Sequence, residues 1–346
     1  MSTDLRKENS RQRNRIPFIV LLVILSIILV GIVVMMPGDS KIGGNANEQE
    51  SEKTDDGLEK WQEGIVSYEG KDYIYNQDIK TYLIMGIDKD GKVETVTDYT
   101  KGGQSDAMFL LVTDASDKTI SVISIHRNTM TRVETCSFEG KSLGYKNAQI
   151  CIQHGYGDGK NLSCVRSVDA VSYLFYNLPI HGYLAMNMGG LPTMNDGVGG
   201  VEVTVLDNLS SASRGVNLKK GQTVTLDGEE AYIYLRGRDT DVFDSATNRL
   251  KRQEQYITAY IKKIETIAAS NPSAAVEIYE SISDYVVSSI DFANLVSEVS
   301  EYTYASEQMY SVPGEVVMGD VYEEYHVDED AFYEMILDIF YLEVTE

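Results

Sequence analysis

Cysteine, histidine and positive charge are all scarce in this chain of 346 residues. The three cysteines, Cys136, Cys151 and Cys164, fall at no zinc-ligand spacing, and an odd number cannot pair completely. One bridge with a buried thiol and three buried thiols both fit. The four histidines, His126, His154, His181 and His326, are scattered. They form no metal-binding cluster and no Ser-His-Asp constellation, so each reads as structural. Lys and Arg number 30 against 53 Asp and Glu, for a net charge of −23. Nucleic acid needs a basic footprint, so that partner is excluded.

One stretch has no ionisable residue at all. Ile16 to Met36 reads IPFIVLLVILSIILVGIVVMM, long enough to cross a hydrocarbon core of about 30 Å. Arg6, Lys7, Arg11, Arg13 and Arg15 precede it and Asp39 follows. This asymmetry puts the N-terminus in the cytoplasm and the rest of the chain outside. The run exceeds the ~7–15 residues of a signal-peptide core and no A-x-A-like site follows, so it reads as an uncleaved anchor. Pro37 to Asp56, rich in Gly, Asn, Ser and charge, reads as a spacer.

Against the acidic background, Tyr234 to Tyr256 (YLRGRDTDVFDSATNRLKRQEQY) concentrates Arg236, Arg238, Arg249, Lys251 and Arg252 among Asp239, Asp241 and Asp244. A guanidinium grips phosphate through a planar fork of donors. Alternating Arg and Asp suits a site that holds a phosphorylated substrate, a metal ion and a reacting hydroxyl together. Asp227 and Glu230 have capping-box spacing, which predicts a short helix from Gly228 to about Leu235. A longer helix is predicted from Ser245 to about Ala269. Its Leu250, Ile257, Ile261 and Ile264 share one arc, with Arg249, Arg252, Gln253 and Tyr256 on the neighbouring face. Free N–H groups at such a helix start attract anions.

Upstream, TYLIMGI from Thr81, AMFLLVT from Ala107 and ISVISI from Ile120 read as buried strands. They end or begin beside Asp88, Asp106 and Arg127. Near-continuous apolar strands imply a sheet covered on both faces, whose sites gather at strand ends. Trp61 to Asp78 is ambiguous, with Tyr68, Tyr73 and Tyr75 suiting an edge strand. A helix is expected to end near His154, and Ser167 is expected to cap another that Pro179 stops. Gly182 to Met186 suits a strand, Leu191 to Asp196 a short helix, and VGGVEVTV a turn and strand. Residues 270–346 are acidic, with helices expected over 273–282, 292–302 and 328–340. Strands alternating with helices argue for an α/β sandwich. Two carboxylates at adjacent strand edges, Asp88 and Asp106, can hold Mg²⁺. Singly each serves as well to cap a turn; with Arg127, Arg236 and Arg238 the metal–diphosphate reading is the better one.

The ordered series LIMGID, GQSDAMFLLVTD, TISVISIHRNT, KNA, LPIHGYLAMNM, GVGGVEVTV, LKKGQTVTLDGEEAYIYLRGR and NRLKRQEQ resembles the LytR-CpsA-Psr (LCP) family over roughly residues 80–265. The resemblance implies an α-β-α sandwich with a central mixed sheet, a long hydrophobic pocket for a polyprenyl tail, and one preceding transmembrane helix. It implies a phosphotransferase that moves a glycan-1-phosphate from a polyprenyl diphosphate carrier to a peptidoglycan hydroxyl. By position, Asp88 and Asp106 match the Mg²⁺ ligands, and Arg127, Arg236, Arg238 and Arg249 the diphosphate-binding arginines. Gln253 matches the glutamine of the RQ motif, and Lys146 a basic position before the N-A pair. Asp244 matches the proposed base, with Asp239 and Asp241 as alternatives. Gln104 stands where the family often has Arg, and Asn128 where it often has Asp.

The implied plan is a basic cytoplasmic tail at 1–15, a single-pass membrane helix at 16–36 and an extracellular linker at 37–78. A catalytic domain follows at 79–269, then an acidic, mainly helical extension at 270–346. Two other activities suit the same residues: a membrane-anchored module that only binds lipid-linked wall polymer, and a polyprenyl-diphosphate hydrolase.

Overall fold

The structure, a computed structural model, describes residues 65–239, 241–271, 274–290, 295 and 302–344. The expected membrane helix lies outside them, as do the basic tail and most of the linker. No helix among the described residues is long and apolar enough to cross a membrane.

The centre is a six-stranded sheet. Its core is the antiparallel run of β3 (Ile79–Ile87), β4 (Ser105–Asp114) and β5 (Thr119–Ser124), the apolar segments legible in the sequence. Beside β3 runs β8 (Gly182–Asn187), parallel to it. At the edges lie β13 (Val286–Ser288), antiparallel to β8, and β14 (Thr303–Ser311), parallel to β5. The sheet is therefore mixed, and alternation along β3 divides its sides between two cores. Tyr82 and Ile84 face one; Leu83, Met85 and Ile87 face the other.

On the first face pack helices α2 (Leu191–Gly197), α3 (Gly228–Arg236), α4 (Ser245–Ser270) and α5 (Ala274–Ile282). On the second pack α1 (Asn161–Leu174) and α6 (Glu329–Phe340), with Phe175 edge-on to Phe332. The α-β-α layering agrees with the sequence expectation. Around it sit the hairpin of β1 (Ile65–Tyr68) and β2 (Lys71–Tyr75), and the hairpin of β6 (Met130–Cys136) and β7 (Ser142–Gln149). Strand β9 (Val201–Thr204) pairs with β12 (Thr223–Leu226), and β10 (Leu209–Ser211) with β11 (Val216–Leu218). Strands β15 (Gly314–Met318) and β16 (Glu323–Val327) form a further hairpin, and β17 (Tyr341–Glu343) pairs with β2.

Several expectations are corrected. Ser167 caps nothing; the helix starts at Asn161, and the Ser167 hydroxyl donates to the Ser163 carbonyl at 2.9 Å. The start is set by Asp158, whose Oδ1 accepts from the Lys160 and Ser163 amides. The helix expected to end at His154 is strand β7 followed by a short 3-10 turn, Ile150–Gly155. Among the described residues, the acidic C-terminal part is not mainly helical. It supplies β13 and β14 to the central sheet, so the layered core does not close at residue 269. The helix expected over 292–302 lies almost wholly outside the described residues. All three cysteines are free and buried.

Candidate active site

Strand β3 delivers Asp88 at its end and β4 delivers Asp106 near its start, at the same edge of the sheet. The Gln104 amide donates to Asp88 Oδ1 at 2.7 Å, and the Asp88 amide to the Gln104 carbonyl at 3.0 Å. Gly103 makes this turn possible. Its φ is +91°, and a Cβ there would stand 2.7 Å from Ile87 and 3.1 Å from the Asp88 carboxylate.

Asp106 is the hub. Arg249, one turn into α4, donates to Asp106 Oδ2 at 2.7 Å. Arg127, just past β5, places Nε 2.9 Å from Asp106 Oδ1, an ion pair without the alignment of a hydrogen bond. Arg127 also donates to Asn128 Oδ1 at 3.3 Å and to the Gln104 side-chain carbonyl. Burial alone would raise Asp106, but the charges of Arg249 and Arg127 overcome it and hold the carboxyl below its ordinary range. Asp88 goes the other way. Burial pushes it up, against the Gln104 hydrogen bond, and the nearby Asp106 charge adds to the rise. Two carboxylates with opposed shifts share one strand edge.

The second group comes from the loop between α3 and α4. Helix α3 carries the capping box foreseen for it: Asp227 accepts from the Glu230 amide at 2.8 Å, and Glu230 accepts from the Asp227 amide at 3.1 Å. Its last residue, Arg236, is half-exposed and donates to Asp90 at 3.3 Å and to the Tyr232 hydroxyl. Arg238 has no hydrogen bond or ion pair among the described residues, yet its charge reaches Asp106, His126 and Arg249. Asp239 and Asp241 are exposed, with the Asp241 amide donating to Asp239. Asp244 occupies the N-cap of α4 in the left-handed region, φ 61°, with no capping hydrogen bond. Its amide donates to Glu323 at 2.8 Å, and its own Oδ1 is buried without a hydrogen-bond partner among the described residues.

An apolar cavity of about 90 Å³ lies between the first sheet face and the helices. Ile84, Met186, Met188, Met194, Tyr256 and Tyr260 are among its walls. It adjoins the charged cluster, since Ala107 and Gln253 also line it, next to Asp106 in the chain and one helical turn past Arg249. The Gln253 side chain donates to the Leu235 carbonyl at 3.2 Å.

Residues 40–337 match the LytR_cpsA_psr family. The chain belongs to that family. A relative from Enterococcus faecalis, named polyisoprenyl-teichoic acid–peptidoglycan teichoic acid transferase TagU, is 28% identical over 232 residues, 66% of this chain and 68% of that protein. Protein gbs0355 of Streptococcus agalactiae has a similar crystal structure, with a TM-score of 0.60 at 20% identity over 76% of this chain and 86% of that one. TagV of B. subtilis gives a TM-score of 0.57 at 24% identity over 76% and 96%. The LytR-CpsA-Psr fold is thus shared.

Of the residues singled out in the sequence, this LytR-CpsA-Psr chain joins Asp106, Arg127 and Arg249 directly, with Asp88 and Arg238 within electrostatic reach of Asp106. Arg236 and Gln253 stand at neighbouring positions. Lys146 is elsewhere, exposed on β7 beside a second cavity. No contact among the described residues joins Asp244 to the arginines.

Four residues support the cluster through partners that the sequence does not show. Arg252 is buried and donates to the Tyr234 carbonyl at 2.8 Å, to the Gly237 carbonyl and to Asp207, so it fixes the segment that carries Arg236 and Arg238. Its place one turn from Arg249 was the available signal. His126 accepts from the Asn128 amide at Nδ1 (3.2 Å) and meets the Thr247 hydroxyl with Nε2 (3.3 Å), while stacking on Tyr325 at 4.5 Å. Burial, then the charge of Arg127, lowers its pKa to about 4, so it is neutral at pH 7. Glu323 and Tyr325 come from the far C-terminal hairpin, and nothing local in the sequence marks them.

Proposed function

We propose that the chain is a Mg²⁺-dependent phosphotransferase that moves a glycan-1-phosphate from a polyprenyl diphosphate carrier to a peptidoglycan hydroxyl, attaching a secondary cell-wall polymer. One observation carries the reading: a carboxylate held by two arginines adjoins an apolar cavity. That combination suits a ligand with a diphosphate head and a hydrocarbon tail. The name of the E. faecalis relative points the same way. The cavity is narrow, but Met186, Met188 and Met194 in its walls are flexible enough to reshape around a longer tail.

The donor chemistry at Asp88 and Asp106 suits Mg²⁺. No group of three or more acidic, His or Cys side chains converges among the described residues, but Mg²⁺ takes one or two carboxylates and fills its shell with water and phosphate oxygens. Asp88 has one oxygen bound to an amide, and both Asp106 oxygens keep lone pairs beyond their arginine contacts. Bound there, the ion supplies positive charge against the diphosphate.

Arg127, Arg236, Arg238 and Arg249 grip the diphosphate oxygens and stabilise the charge that develops as the leaving phosphate departs. Asp244 takes the proton of the attacking hydroxyl, favoured over Asp239 and Asp241 by its buried, unpartnered oxygen. The acceptor O–H bond breaks, an oxygen–phosphorus bond forms, and the bond to polyprenyl phosphate breaks. The apolar run at 16–36 anchors the chain in the membrane where the lipid-linked donor resides, with the catalytic domain outside.

The test incubates the full chain with Mg²⁺, a polyprenyl-diphosphate-linked oligosaccharide and peptidoglycan oligomers. Release of polyprenyl phosphate with matching mass gain on the acceptor, lost in Arg236→Ala, is expected. Release without acceptor modification replaces transfer by hydrolysis. Tight donor binding without release leaves a non-catalytic module.

A further inference from the structure

A second cavity, of about 530 Å³, opens between the β6–β7 hairpin, the end of α1 and the junction of β16 with α6. Its walls combine features of a recognition site. The Arg132 guanidinium lies over the Tyr173 ring at 3.9 Å and the Tyr145 ring at 4.6 Å. Lys146 and Asn147 add a cation and an amide. No carboxylate lies within ion-pair distance of Arg132 or Lys146 among the described residues. The wall carboxylate Glu329 instead accepts from the Tyr176 hydroxyl at 2.7 Å. Arg132 acts on Asp169 only through its charge, without an ion pair, and two such cations in a chain of net charge −23 are not a product of general basicity.

We infer that this cavity binds an anionic glycan, a reading that rests on the transfer activity proposed above. The guanidinium, already oriented by stacking, offers its edge to a carboxylate or phosphate. Tyr145 is 61% exposed, and its ring gives an apolar face with a polar tip, the surface a sugar ring needs. Asn147 can both donate to and accept from hydroxyls. A lipid tail is disfavoured by the polar walls. Position supports the same ligand. Strand β6 begins three residues after Arg127, and on β16 Tyr325 stacks on His126 while His326 lines the cavity. An extended polymer held here can therefore reach the charged cluster. Its source is either the acceptor strand, through peptide-stem carboxylates, or the polymer on the donor, through its phosphates.

The test measures calorimetric binding by the full chain in detergent micelles, with Tyr145→Ala, Arg132→Gln and, as a control on the exposed β2 cation paired with Glu343, Lys71→Ala beside the unmodified protein. The probes are soluble peptidoglycan oligomers and a polyol-phosphate oligomer. A drop of about tenfold for one probe in both cavity variants, with Lys71→Ala unchanged, is expected; the probe that responds identifies the source. Unchanged affinity for both probes in Tyr145→Ala and Arg132→Gln overturns the inference. If cavity-dependent binding persists while no transfer occurs under any condition, the transferase reading fails and the glycan site stands.

Discussion

The two halves of the charged cluster are built differently. On the strand side, Arg249 and Arg127 share Asp106 as their counter-charge, and Arg249 is only 3% exposed. On the loop side, Arg236 is half-exposed against Asp90, and Arg238 has no ion pair among the described residues. The strand side has its counter-charge in place before any ligand arrives. It therefore serves as a fixed template and contributes to the fold. The loop side has charge to spare for a ligand and little to give to stability. A site of this kind separates holding geometry from supplying charge.

The sharpest way to break the comparison is to remove one arginine from each side. Arg249→Ala leaves Asp106 buried with half its compensation, and such losses cost about 3–5 kcal/mol. Arg236→Ala is expected to cost under about 1 kcal/mol while abolishing turnover. Urea unfolding of both variants checks this; equal stability losses would erase the distinction. A second effect follows from His126 on the strand side and from buried His154, both lowered to about 4, chiefly by burial. The unfolded chain binds these protons near pH 6.5 and the folded chain does not. Stability is full above pH 6.5 and falls toward pH 4, by roughly 1.4 kcal/mol per pH unit for each histidine. A flat urea midpoint between pH 6.5 and 5 would mean that neither is buried and neutral. The smallest effect is Asp88→Asn. Its carboxylate is disfavoured by burial and its oxygen still accepts from Gln104, so metal-free stability holds or rises slightly. Mg²⁺ should raise the melting temperature of the unmodified protein and not of the variant. An equal rise in both would remove Asp88 from the metal site.

How much of this was legible depended on sequence distance. Helices α3 and α4 announced themselves through Asp227, Glu230 and the Leu250–Ile264 stripe, because capping and periodicity are local. The apolar runs of β3, β4 and β5 did so for the same reason, and they delivered Asp88, Asp106 and Arg127 to one edge. Strand β14 did not, because it is partnered with β5 from nearly the other end of the chain. Hairpin β6–β7 hid behind polar inward residues, Thr131 and Thr135. The Ser167 cap failed because Asp158, outside the apolar pattern, had already satisfied the helix start. The partners of Asp244 and His126 were invisible for the same reason as β14.

That distant strand gives the molecule an order of assembly. The carboxylates and arginines are all made by residue 249, but β14 covers the open edge of β5 only when residues 303–311 arrive, and Glu323 and Tyr325 follow later still. A chain emerging from the ribosome thus carries every charged group of the cluster well before Asp244 is secured. Parallel pairing across that span is slow to find, because the loop must close before the contact forms. Only a chain extended past Glu323 can hold its candidate base in place.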